Sequence, residues 1–219
     1  MGSICKLVFL LVMLMLFQCT NGIAGNNSGG TETTNALVVI SEGLSVRGYA
    51  PSGTKVILCN DTFNPLHDEN FIDSIFVDSS KSFIFRTAKT KGNYNVLAIN
   101  SQMFSGAFVS GIDINTESDD SVLVYFDSLG NINGAILQVN RSGKDTIASA
   151  NNPVFIEGTS ICTKTDSAGF FHIGNIPVGT YKIKVDQPLT MTGPVEKVVS
   201  LNENHLTINV ILVSKEGGE

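Results

Sequence analysis

The chain has 219 residues, of which 42% are hydrophobic and 16% charged, and its formal net charge is −6. That acidic balance excludes the basic face on which nucleic-acid binding depends, and it disfavours docking on a bare anionic lipid surface. Once a leader is set aside, the length suits one or two domains.

The leader comes first in the chain. Met1 to Lys6 is a short head with one positive charge, and Leu7 to Phe17 is the unbroken apolar run LVFLLVMLMLF. A helix crossing a bilayer takes ~20 residues, so this run is too short to span and has the length of a signal-peptide core. It ends in LFQC, Leu16 to Cys19, and the polar stretch TNGIAGNNSGGTETTN follows. An aliphatic residue three before a cysteine, then a flexible polar segment, resembles a bacterial lipobox. In such lipoproteins the cysteine is acylated and becomes the new first residue; Gln18 stands here where that pattern has Gly, Ala or Ser. The resemblance implies lipid attachment at Cys19 and a membrane partner through a two-chain anchor. It places the protein in the cell envelope, at the outer membrane or cell surface. The alternative, an ordinary secretory signal with Cys19 incidental, stays open and implies a secreted protein. The expected order is a signal peptide over 1–18, then the lipidated cysteine and a tether over 19–35. Gly, Asn, Ser and Thr give that tether too little apolar content to order itself. As a coil its ends lie roughly 20 Å apart.

Beyond Asn35 short runs of Val, Ile, Phe and Tyr alternate with turn residues. Candidate strands are ALVVIS, SVRGY, TKVILCN, DSIFVD, SFIFRT, NYNVLAIN and AFVSGIDIN, then VLVYFDS, NINGAILQV, PVFIEGT, SICTKTD, GFFHIG, TYKIKVD, VEKVVSL and LTINVILV. This spacing predicts an all-β fold of sandwich type, with no helical apolar stripe in competition. Two β-sandwich domains are expected, over 36–116 and 117–215, joined by the polar stretch NTESDD, Asn115 to Asp120. Of four cysteines, Cys5 and Cys19 belong to the leader. Cys59 and Cys162 are read as small buried thiols, one in each domain, with a bridge between them as the alternative.

An internal repeat supports the two-domain reading. DSSKSFIFRTAKTKGNY, Asp78 to Tyr94, and DSAGFFHIGNIPVGTY, Asp166 to Tyr181, each encode a turn, a strand, a loop and a strand. Asp78 and Asp166 open tight turns whose carboxylates can bond the backbone two residues on. Phe83 and Phe85, like Phe171 and Ile173, share one face of a strand, and so do Tyr94, Val96 and Ala98, and Tyr181, Ile183 and Val185. Gly169 ends the second turn where the first has Lys81. A left-handed conformation there costs Lys81 ~1–2 kcal/mol.

GNINGAILQV and NNPVFIEGTSICTKTDSAGFFHIGNIPVGTYKIKV resemble a carboxypeptidase regulatory-like domain, the transthyretin-like sandwich, through V-x-I-x-G-T, T-D-x-x-G-x-F-x-I and P-x-G-x-Y-x-I-x-V. The first domain matches more loosely, through GTKVIL, DSSKSFIF and GNYNVLAIN. The resemblance implies two tandem immunoglobulin-like or transthyretin-like modules on a small bacterial surface lipoprotein. It also brings in a carbohydrate-binding-like fold class, and fold alone does not fix function.

The sequence carries no recognisable catalytic pattern. His67, His172 and His205 lack the spacing of a zinc site, and His67-Asp68-Glu69-Asn70 does not supply it. His172 alternates with Phe171 and Ile173, which predicts a solvent-facing side chain. No nucleophile elbow occurs. The C-terminal Tyr-Arg-Gly-Ser of transthyretin-like hydrolases is replaced by SKEGGE. Pilin-type sandwiches carry Lys–Asn isopeptide bonds; Asn209 lies in the last strand, but AILQV offers no lysine, so Asn209 is read as an ordinary strand residue. The chain is therefore read as a non-enzyme with no cofactor and no metal. Its partners would be the membrane and a polysaccharide or envelope protein. For sugar binding, Tyr49 and Tyr125 are left over without a neighbouring aromatic pattern, and Asn60 to Asn64 is a candidate loop against the plainer reading of a surface loop. Asp113, Asn115, Glu117, Asp119 and Asp120 crowd the join. They are read as a solvated linker, with a calcium clamp as the alternative. Asn26, Asn60 and Asn140 begin N-x-S/T triplets that matter only in a eukaryotic source.

Overall fold

A computed structural model of the chain describes residues 35–68, 73–86, 91–117, 119–139, 146–186, 195–202 and 207–215. The expected signal peptide, Cys19, Asn26, Asn140 and His205 lie outside the described residues. The described chain is all-β.

The first sandwich contains β1 (Ala36–Glu42), β2 (Ser45–Tyr49), β3 (Lys55–Asn60), β4 (Asp73–Phe76), β5 (Ser82–Arg86), β6 (Gly92–Asn100), β7 (Ser105–Ile114), β8 (Asp119–Tyr125) and β9 (Asp127–Ser128). One sheet has the order β5-β2-β1-β8 and the other β4-β3-β6-β7-β9. Alternation decides which side chains meet. Leu37, Val39, Val46, Phe83 and Phe85 point inward from the first sheet, and Val56, Leu58, Tyr94, Val96, Ala98 and Val109 from the second. Phe85 and Val46 are fully buried. Burial of each such side chain stabilises the fold by about 1.5–3 kcal/mol.

The second sandwich contains β10 (Gly130–Val139), β11 (Thr146–Ala148), β12 (Pro153–Ile156), β13 (Cys162–Lys164), β14 (Phe170–Ile176), β15 (Gly179–Val185), β16 (Val195–Leu201) and β17 (Thr207–Lys215). One sheet runs β13-β12-β15-β16. In the other, β10 pairs with β17 in parallel along one edge, and with β14 and then β11 antiparallel along the opposite edge. Ile132, Ile136, Val154, Ile156, Phe171, Ile173, Tyr181 and Ile183 fill the core.

Pairing moves the division between the sandwiches. Residues 117–128 were expected in the second domain. Yet β8 pairs over its whole length with β1, from Ala36 opposite Tyr125 to Glu42 opposite Asp119, and β9 pairs with β7. The strands on either side of this polar stretch, β7 and β8, therefore belong to the two sheets of the first sandwich. Of VLVY, Val124 packs against the first core, while Leu123 and Tyr125 point outward.

The repeat has the predicted turn chemistry in both copies. Asp78 Oδ1 accepts from Ser80 N at 2.8 Å, and Asp166 Oδ1 from Ala168 N at 2.9 Å. Hydrogen bonds from the Ser80 side chain and backbone hold the Asp78 carboxyl below its usual range. The turns close from Lys81 N to the Asp78 carbonyl and from Gly169 N to the Asp166 carbonyl, both at 3.1 Å. Both closing residues are left-handed, Lys81 at φ 57° and Gly169 at φ 78°. The motif of the second sandwich is likewise spent on structure. Val154 and Ile156 are core, Gly158 turns the chain at φ 71°, and Thr159 Oγ1 donates to the Ile156 carbonyl at 2.9 Å. Tyr181 donates its hydroxyl proton to the Pro177 carbonyl at 2.7 Å.

Opposite effects are expected at the matched turn positions. Lys81→Gly should raise stability by about 0.5–1 kcal/mol, the left-handed strain less the entropy of a glycine in the unfolded chain. Gly169→Ala should lower it, because the added Cβ meets the Ile136 carbonyl oxygen at 2.9 Å and Ser149 N at 3.1 Å. Urea unfolding of the two variants reads both signs.

Candidate functional site

Two places on the molecule are built for more than a core. The first is the seam between the sandwiches. β3 reads KVILCN with four consecutive buried residues, and β6 reads GNYNVLAIN with five. In a strand covered on one side only, alternate residues should be exposed. Here Ile57, Cys59 and Leu97, which point away from the first core, are buried as well, with Ile99 and Phe108 beside them. Phe63 and Ile161 cover them, the latter from the second sandwich. Phe108 also stacks at 4.9 Å on Tyr181 of the second core.

A bulge pins the seam. Pairing of β6 with β7 shifts between Tyr94 and Val96, and Gly111 there is left-handed at φ 71°. Gly111 N donates to Asn95 Oδ1 at 3.0 Å, which fixes the amide of a nearly buried side chain. Asn95 Nδ2 then donates across the seam to the Gly158 carbonyl at 3.1 Å. Gly158 N donates in turn to the Phe63 carbonyl at 2.8 Å. Leaving such a buried amide unpaired costs about 1–3 kcal/mol.

These contacts account for several residues singled out by sequence. The 60–64 loop is part of the joint. Asn60 Oδ1 accepts from Thr62 N and from Thr62 Oγ1, Asn64 Oδ1 accepts from Leu66 N, and Phe63 is 4% exposed. His67 Nε2 lies 3.1 Å from Asp186 Oδ2, bridging the sandwiches at the rim. His172 is exposed, as expected, with Nδ1 at 2.7 Å from Asn133 Oδ1. Asn209 lies in β17 opposite Asn133 of β10. Cys59 is buried, and burial pushes its thiol up to about 12. Cys162 is exposed, contrary to the expected buried thiol, because β13 is a short edge strand and Cys162 lies on its outer side; both cysteines are free. At the end of β7, Asn115 Nδ2 donates to Asp113 Oδ2, and Asn115 Oδ1 accepts from Glu117 N. Among the described residues no three His, Cys, Asp or Glu side chains converge in a way that could hold a metal ion.

Beside Gly158, Glu157 carries a cluster of charges within the second sandwich. Lys182 Nζ is 2.9 Å from its Oε2, Lys184 bonds its Oε1, and Glu196 lies 3.6 Å from Lys184. Burial acts to raise the Glu157 carboxyl, but the hydrogen bonds from Lys184 and Lys182 outweigh it and hold the group below the usual range. The bond to Glu157 raises Lys182.

The second place is the outer face of the β5-β2-β1-β8 sheet. Tyr49 lies opposite Val38, and Val38 opposite Leu123; Tyr125 follows two residues on, opposite Ala36. Tyr49, Leu123 and Tyr125 are 48%, 51% and 71% exposed, and Ile84 adds to the same face. Tyr49 and Tyr125 therefore share one exposed face of the sheet, which the sequence did not reveal. They are about 12 Å apart, taking two strand spacings of ~4.8 Å across and two residues' rise along. Arg47 and Glu42 pair at 2.9 Å on this sheet.

No family model matches the sequence, and no curated protein matches it at a significant level. Among solved structures the chain is similar to GBS52, the minor pilin of Streptococcus agalactiae. Identity there is 15%, coverage 78% of this chain and 86% of that one, and the TM-score 0.38. It is also similar to the group B streptococcus pilus 2b backbone protein, at 14% identity, 88% and 90% coverage and a TM-score of 0.32. For BcpA, the major pilin subunit of Bacillus cereus, the figures are 12%, 90% and 77%, and 0.31.

Gly158→Ala should cost roughly 2–4 kcal/mol, from left-handed strain and overpacking together. Its Cβ would meet Asn95 Nδ2 and the Asp61 carbonyl oxygen, the latter at 2.6 Å. Gly43→Ala, also left-handed at φ 56° but with open space around it, is the control and should cost only about 1 kcal/mol. Urea unfolding compares them. The Glu157 cluster predicts a pH dependence. Its folded carboxyl is depressed, so its contribution is present above the unfolded value of about 4.3 and is lost as pH falls through the folded one. Glu157→Gln should cost roughly 1–2 kcal/mol at neutral pH and lose less stability on acidification below about pH 4. Thermal unfolding of both proteins from pH 7 to pH 3 measures the difference.

Proposed function

We propose that the chain is a non-catalytic surface protein of the bacterial cell envelope. It is anchored through an acylated Cys19 and presents two β-sandwich modules as one stiff unit. The second module is read as carboxypeptidase regulatory-like and the first as a divergent relative. The observation that carries this reading is the seam. Asn95, Gly158, Phe63, Phe108 and Tyr181 tie the modules together with buried apolar and hydrogen-bonded contacts. A polar tether of Gly, Asn, Ser and Thr separates that unit from the lipobox-like leader. Such a design suits display at a distance from a membrane rather than turnover of a substrate. Mass spectrometry of the mature protein from a bacterial host should find a diacylated N-terminal Cys19. Cys19→Ala should release the protein from the membrane fraction. A free N-terminus beyond residue 19 would replace the anchored reading with a secreted one.

The shared face of Tyr49 and Tyr125 favours a second reading, a binding module for surface polysaccharide. Flat aromatic rings cover the apolar face of a sugar, and rings spaced along one face of a sheet suit an extended chain of them. Retardation in gels cast with cell-wall polysaccharides, lost in Tyr49→Ala and Tyr125→Ala, is the expected result. Unchanged mobility of the parent protein on every polysaccharide tried would leave only the display role.

A further inference from the structure

β8 is an edge strand with unusual properties. It pairs with β1 on one side and with no strand among the described residues on the other. Natural edge strands are blunted by charge, proline, shortness or a bulge, because an open backbone edge recruits another strand. The other edges with described side chains obey that rule. β4 and β13 have four and three residues, β5 ends in Arg86, and β16 carries Glu196 and Lys197. β14 is bulged opposite the Gly130–Ile132 step, with Asn175 left-handed there. β8 runs seven residues in unbroken register; its two charges, Asp119 and Asp120, stand together at its start, and the Ser121–Tyr125 segment holds no charge and no proline. Val122, Leu123 and Tyr125 are 39%, 51% and 71% exposed.

The direction of the free backbone groups follows from one bond. Phe126 N donates to the Asn35 carbonyl at 2.9 Å, so Phe126 and Asn35 form a hydrogen-bonded pair. In an antiparallel ladder such pairs alternate. Residues 124, 122 and 120 therefore bond β1, and Asp119, Ser121, Leu123 and Tyr125 turn their N–H and C=O groups to the open edge.

We propose that this edge pairs with β8 of a second copy of the chain, antiparallel about a two-fold axis through Val122. Val122 is the midpoint of β8, so all seven residues find partners. Asp119 then lies opposite Tyr125 of the second copy, and its carboxylate can accept from that exposed hydroxyl. Ser121 lies opposite Leu123, and Val122 opposite Val122. Moving the axis to Leu123 would set Asp119 against Asp127, like charges in contact, and Asp127 is already paired with Gly106. Two four-stranded sheets become one of eight. The interface is isologous and closes at two copies, so it gives a dimer and not a fibre. This inference stands apart from both functional readings above.

Cross-linking of the full chain in the cells that express it tests the register. Val122 sits at a non-hydrogen-bonded pair on the axis, where Cα atoms approach to about 4.5 Å, within disulfide reach. In a Cys162→Ser background, Val122→Cys should give a reductant-sensitive band at twice the monomer mass on mild oxidation. Ser121→Cys, which faces Leu123 and not itself, should give little. Adding Leu123→Lys to the Val122→Cys chain should bring the dimer band down to background, with the circular dichroism spectrum unchanged. No dimer from Val122→Cys above its parent, equal cross-linking from Ser121→Cys, or survival of the band with Leu123→Lys would each overturn the proposal.

Discussion

The architecture turns on a sheet that is apolar on both faces. β3 and β6 bury Val56, Leu58, Val96 and Ala98 on one side and Ile57, Cys59 and Leu97 on the other. A sheet with one greasy face needs one cover; this one needs two. The β5-β2-β1-β8 sheet supplies the first, and the second sandwich, with the 60–64 loop, supplies the other. At about 25 cal/mol for each Å² removed from water, exposing that outer face would be a large loss against the few kcal/mol by which a domain is stable. The first sandwich is thus bound to its neighbour by its own composition, and the joint follows from it.

Hydrogen bonding then selects one geometry among the many that burial alone would permit. Apolar contact is non-directional, so Ile57, Leu97, Phe63 and Ile161 could slide over one another. Asn95 does not allow it. The bulge at Gly111 holds the amide oxygen, and the amide nitrogen has one carbonyl to reach, that of Gly158. Gly158 has room for no side chain there and takes a left-handed turn. One bulge, one amide and one glycine fix the angle at which the two sandwiches meet.

Much of the fold was legible in the sequence because period-two alternation is a local signal. The turns at Asp78 and Asp166, the inward Phe83–Phe85 and Phe171–Ile173 pairs and the solvent-facing His172 all follow from short-range chemistry. What stayed hidden depended on pairing between distant strands. VLVYFDS reads as a strand, but nothing in it says that its partner is ALVVISE, some eighty residues earlier, so the division fell too early. The same pairing brings Tyr49 and Tyr125 onto one face, which no inspection of either neighbourhood could reveal. The seam left a trace that could have been read. The unbroken apolar runs in KVILCN and NVLAI lack the polar alternation of a half-exposed strand. Asn95, surrounded by them, was the polar residue to question.

The parallel ladder of β10 and β17 has a mechanical side. The first and last strands of the second sandwich lie next to each other and point the same way, over nine residue pairs from Asn131–Thr207 to Val139–Lys215. Tension entering at the start of β10 and leaving at the end of β17 would drag the two strands past each other lengthwise. Every bond of the ladder then resists together, where a hairpin pulled from its open end would unzip one rung at a time. A body held at one end and tugged at the other gains from being closed by such a clasp.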